Sequence, residues 1–116
     1  MLSFEEYLTE IARAYEKIHH NVTVRQAMKI IPHVKNQTVR YVIDKKDKLH
    51  IGASHIHTHD DLVNPKDYKH LGSISYHEGK YHYDAMVPKG DYEYKNKNHD
   101  HFKKYGFHHS PGLTEP

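Results

Sequence analysis

The segment Thr38-Val39-Arg40-Tyr41-Val42-Ile43-Asp44 alternates, with Val39, Tyr41 and Ile43 set against Arg40, Val42 and Asp44, and it is rich in β-formers. A period of two is the mark of a strand with one face on a core. Lys45-Lys46-Asp47-Lys48 follows as a polar turn, and Leu49–Ser54 reads as the returning strand. Downstream, Ser73–His77 and Tyr81–Val87 flank Glu78-Gly79-Lys80, a second hairpin with a glycine suited to a left-handed position. Between the hairpins, Asn64-Pro65-Lys66-Asp67 carries the cap, the first-turn proline and the early acid of a short helix, expected to stop at Gly72.

Upstream of residue 38 the period changes. Phe4, Tyr7, Leu8, Ile11, Tyr15 and Ile18 recur at helical spacing over residues 1–20, and Ser3 with Glu6 forms a capping box. Thr23 and Gln26 repeat the box for a shorter helix that Pro32 ends near Ile31. The expected fold class is α+β: two N-terminal helices packed on a small, mainly antiparallel sheet of four or five strands with a short inserted helix. One domain over residues 1–109 is expected, with a flexible tail over 110–116.

The chain has 116 residues and no cysteine, which excludes a disulfide scaffold, thiolate zinc sites and cysteine nucleophiles. Its apolar runs are too short to span a bilayer, so no membrane partner and a cytoplasmic setting are expected. Lys plus Arg is 17 against 15 Asp plus Glu, and 14 histidines stand beside them. With free imidazoles titrating near pH 6.5, about a quarter are charged at neutrality and about nine-tenths at pH 5.5. A mildly basic chain thus becomes strongly basic in acid, which suits an anionic partner such as RNA without requiring one. The small core and ten tyrosines are also compatible with a homo-oligomer.

His55-Ile56-His57-Thr58-His59-Asp60-Asp61 is the densest chemistry in the chain. On an extended strand His55, His57 and His59 would share one face and could hold zinc or another divalent metal. His57-Thr58-His59 with the following Asn64-to-Asp67 stretch is similar to part of the JAMM metalloprotease pattern. His57-x-His59-x-Asp61 is similar to the opening of a metallo-β-lactamase motif. A structural alternative starts from Thr58 and Asp61, an [ST]-x-x-[DE] box that would begin a helical turn and turn His59 away from its neighbours. A metal-free reading makes His57 and His59 an acid/base pair for RNA phosphodiester cleavage, with Arg40 as the cation. Further along, Tyr94, Lys95, Lys97 and Lys103 interleave bases and an aromatic ring as a substrate-binding stretch.

The opening Met1-Leu2-Ser3-Phe4-Glu5-Glu6-Tyr7-Leu8 resembles the starts of small proteins encoded by large tailed phages. Val39–Asp44, Leu49-His50-Ile51 and Thr58-His59-x-Asp61-Leu62 resemble a small tailed-phage and metagenomic module: an Arg on a strand, an Asp at a turn, and a Thr-His pair opening a helix. In architecture, helices followed by a sheet bearing His and Arg are similar to the barnase–EndoU–colicin–RelE group of small ribonucleases. The leading expectation is a phage-type accessory protein, a small metal-independent, ribonuclease-like hydrolase using His57, His59 and Arg40 with no cofactor, in a host cytoplasm. The alternatives are a non-enzymatic virion or host-interaction protein, and a zinc-dependent hydrolase or metal-binding protein built on His55, His57 and His59.

Overall fold

A computed structural model describes Ser3, residues 15–86 and residues 100–110. Along the chain run β1 (His19–Val22), α1 (Val24–Ile30), β2 (Thr38–Asp44), β3 (Leu49–Ala53), α2 (His59–Leu62), β4 (Tyr68–His77), β5 (Lys80–Met86), α3 (Asp100–Lys103) and β6 (His108–His109). The strands form one sheet in the order β1-β3-β2-β4-β5-β6. All neighbours are antiparallel except β5 and β6, which run parallel.

The alternation of β2 sorts the sheet into two faces. Val39, Tyr41 and Ile43 join Leu49, Ile51, Ala53, Ile74 and Tyr83 in the main core, which Ala27, Ile31, Val34, Phe102 and Phe107 close. α1 supplies part of that cover. Thr23 accepts from the Gln26 amide at 3.0 Å and donates its own amide to the Gln26 side chain at 2.8 Å, so the capping box forms as spelled. Arg40, Val42 and Asp44 point to the opposite face. There Val42, Leu71 and Leu62 build a second, smaller cluster with Ile18, Val63 and Tyr68. Both elements that carry candidate chemistry, the 54–58 turn and α2, lie over this second face.

Three expectations are corrected. The sheet has six strands, not four or five, and one parallel pair makes it mixed although its other four pairs are antiparallel; among the described residues it is not covered by two helices. Among the described residues the longest helix is α1, seven residues, which a 3-10 turn at Ile31–His33 prolongs. Residues 1, 2 and 4–14 of the expected first helix lie outside the described residues, and its last two, His19 and His20, belong to β1. The reason is in β3: every one of its five residues is buried, so it has neighbours on both sides, and His19–Val22 supplies the outer one. The inserted helix is also shorter than expected. A 3-10 turn spans Pro65–Asp67, and strand begins at Tyr68 rather than helix ending at Gly72. The ten-residue β4 pairs with β2 on one side and β5 on the other, and this two-sided ladder overrides the local helix signal. β6 and α3 lie in a stretch whose sequence is polar and without clear period. The second hairpin closes on Glu78 and Gly79, both at positive φ, the geometry that two-residue turns favour.

Candidate functional site

The 54–58 stretch is a turn and not a strand, so the geometry that would align His55, His57 and His59 on one face does not arise. The amides of Ile56 and His57 both bond the Ala53 carbonyl, at 3.1 and 2.9 Å. Thr58 then caps α2, its amide donating to the Asp61 carboxylate at 2.8 Å. That bond holds Asp61 below the usual carboxylate range. The three imidazoles reach different partners. His55 Nε2 lies 3.4 Å from the Glu16 carboxylate, His57 Nε2 bonds the Glu16 carbonyl at 3.0 Å, and His59 Nε2 bonds the Gly72 carbonyl at 2.8 Å. Among the described residues no group of three or more His, Asp or Glu side chains is gathered as a metal set.

Arg40 sits beneath this turn. Its Nη1 donates to the Ser54 carbonyl and, at 2.8 Å, to the His57 carbonyl. Arg40 therefore holds the turn that carries His57, and its charge reaches His59, while Arg40 Nη1 and the Nε2 atoms of both imidazoles are taken up by main-chain carbonyls. A carbonyl can only accept, so each Nε2 carries the proton and neutral His57 and His59 keep Nδ1 bare. Burial depresses the His59 pKa and the Arg40 charge adds to this, against the Gly72 bond and Asp60, which favour protonation. Gly52 lets the turn settle, since a Cβ there would stand 2.7 Å from Leu62 and 3.1 Å from His57 Cβ. The trio reads as a staple for the turn. Arg40→Ala leaves two turn carbonyls without their donor and is expected to cost about 2 kcal/mol, with Arg40→Lys recovering part of it. Urea unfolding checks this; an unchanged midpoint for Arg40→Ala would remove the staple.

A different constellation stands at the other end of the same face. Asp44 Oδ1 accepts from the amides of Lys46 and Lys48 at 2.8 and 3.0 Å, shaping the hairpin turn. Its Oδ2 accepts from His50 Nε2 at 2.9 Å, and His50 Nδ1 lies 2.9 Å from His20 Nδ1. Burial would raise the Asp44 pKa; the bond from His50 and the two amides together outweigh it and hold the carboxyl below its ordinary value. His50 is 7% exposed and His20 is exposed. With Asp44 fixing the proton on His50 Nε2, one proton is shared between the facing Nδ1 atoms, and His20 Nε2 is left as the outer nitrogen of a relay. His50 and Asp44 line a cavity of about 340 Å³ with Lys45, Lys46, Leu62, Val63 and Asp67.

Of the residues nominated for substrate binding, Tyr94, Lys95 and Lys97 lie outside the described residues, and Lys103 is exposed on α3. Sequence reasoning missed the relay, although half of it is legible. Antiparallel return through Lys45–Lys48 puts His50 opposite Val42, on the face of Asp44. His20 gives no such signal, because the helical period of residues 1–20 masks its strand.

Burial lowers the pKa of His19, His59 and His82, helped at His82 by the neighbouring His108 charge. Such groups bind more protons unfolded than folded, so stability is full above the unfolded value of 6.5 and falls as pH drops below it toward the folded values. The urea midpoint is expected to be lower at pH 5.5 than at pH 7.5, with a smaller drop for His59→Gln. A midpoint equal at both pH values would contradict the three depressed imidazoles.

No family model, curated protein or solved structure matches the chain. Among the described residues, no helix is long and apolar enough to cross a membrane.

Proposed function

We propose that this protein is an acid–base hydrolase of phosphodiesters, acting on RNA without a metal, with its chemistry at Asp44, His50 and His20. One observation carries the reading: a continuous carboxylate–imidazole–imidazole chain with both links at 2.9 Å, whose Asp44 and His50 border a cavity that Lys45 and Lys46 also line. Cleavage of RNA through its 2′-hydroxyl needs a base for that hydroxyl, an acid for the leaving 5′-oxygen, and positive charge at the phosphate. His50 in the neutral state offers Nδ1 as the base by way of His20. Asp44 stabilises the imidazolium that forms and keeps the ring in its tautomer. The proton then passes to the leaving oxygen as His50 and His20 return to neutrality, and the two lysines face the phosphate. This placement differs from the expectation built on His57, His59 and Arg40, whose polar ends already hold main-chain carbonyls.

A labelled oligoribonucleotide incubated with the protein in EDTA tests the reading. Cleavage with 2′,3′-cyclic phosphate ends is expected, along with inertness of the matching 2′-deoxy oligomer. Loss of cleavage in EDTA would favour the metal reading, and uncut RNA under all conditions would favour the interaction protein.

A further inference from the structure

We infer that the substrate is single-stranded RNA that crosses the tip of the β2–β3 hairpin and seats a neighbouring nucleotide in a second cavity on its other side. The inference deepens the proposed function and rests on it for the position of the scissile phosphate. The second cavity, about 270 Å³, is lined by Asn21, Asp47, Lys48, Leu49, Lys104 and Tyr105 among others. Leu49 belongs to the main core and His50 to the opposite face, so the two cavities lie on either side of one turn, Lys45-Lys46-Asp47-Lys48. Lys45 and Lys46 border the first cavity and Lys48 the second. The acid in the turn, Asp47, is paired with Lys69, which leaves Lys48 and Lys104 as excess positive charge at the second cavity, while Lys45 and Lys46 offset Asp44 and Asp67 at the first.

The second cavity has what a nucleotide needs. Tyr105 offers a half-buried ring, and the Lys104 ammonium lies 5.4 Å from that ring's centroid, where it can meet a phosphate flanking a stacked base. Asn21 places a side-chain amide at the same cavity, able to donate to and accept from a base edge. A chain of phosphates fits a lysine-bearing edge between two such cavities; a single small anion would use only one of them.

The test measures binding apart from turnover. The His50→Gln protein is titrated with a fluorescent single-stranded RNA decamer, and fluorescence anisotropy is read across a salt series. Adding Lys48→Glu with Lys104→Glu is expected to weaken binding about 10-fold or more and to flatten the log K against log salt slope by about 1.4, the change for two phosphates no longer neutralised. Tyr105→Leu, which keeps apolar bulk over the core, should weaken binding about 10-fold, while Tyr105→Phe restores it. Lys35→Glu, in the 3-10 turn that precedes β2, should bind as the parent does. Decamer affinity unmoved by the tip and Tyr105 variants overturns the inference even if wild-type protein cuts RNA. So does displacement of the decamer by polyglutamate as readily as by unlabelled RNA. Decamer held through these residues but left uncut by wild-type protein would uphold the binding path and remove only the proposed chemistry.

Discussion

Replacing His50 with alanine is expected to lower RNA cleavage by about 10²- to 10⁴-fold while leaving the protein folded. The side chain supplies both the base and the conduit to His20, and no other imidazole bonds Asp44 among the described residues. Asp44→Asn should cost less than His50→Ala. An amide can still accept from the Lys46 and Lys48 amides and preserve the turn, yet it lacks the charge that stabilises the imidazolium. His20→Ala should lower the maximal rate as well, because it removes the outer nitrogen through which the 2′-hydroxyl proton enters the relay. Members of one relay are not additive, so Asp44→Asn with His50→Ala should be no slower than His50→Ala alone. Steady-state rates over a pH series, with circular dichroism as the folding control, decide it. Independent, multiplying losses would mean that the two side chains do not act as a unit, and full activity in His50→Ala would move the chemistry elsewhere.

The largest stability effect is expected at Gly72. A Cβ at this position would fall inside the Asp84 carbonyl oxygen and stand 2.9 Å from the Tyr41 ring and 3.0 Å from the Ala85 Cα. All three obstacles are backbone or a fully buried ring, so none can swing aside. Gly72→Ala must therefore push β4 away from β5, at a cost of about 3 kcal/mol and a drop in melting temperature of about 10 °C or more. The displacement also moves the carbonyl that His59 holds, which loosens α2 from the sheet. Gly79→Ala is the control. A Cβ there meets nothing within 4 Å, and only the left-handed φ of +78° opposes it, so about 1 kcal/mol is expected. Urea unfolding of the two variants ranks them. Equal midpoints would show that β4 and β5 are not packed as tightly at Gly72 as the geometry requires.

The local signals that proved readable share a property: their partners lie a few residues away. Thr23 with Gln26 is a bond across one turn, and Asp44 with the Lys46 and Lys48 amides is a bond within one hairpin. The Thr58–Asp61 box is of the same kind, and it prevailed over the extended reading of the histidine string. What misled was intensity of composition. Three imidazoles in five residues suggest a shared ligand, but a tight turn sends their ring nitrogens to Glu16 and Gly72, 41 and 13 residues from the rings they hold.

By itself, the amino-acid order determined the β2–β3 hairpin, the caps of α1 and α2, and which side of β2 faces the main core. Alternation and capping are properties of short segments, and they survive whatever else the chain does. Tertiary structure alone decided that His19–Val22 is a strand, that β4 continues where a helix was signalled, and that the histidine 30 residues before His50 is the one that completes its relay. Those outcomes depend on which backbone groups each sheet edge must satisfy, and on which distant side chains the closed sheet brings within 3 Å, and neither quantity exists until the chain is folded.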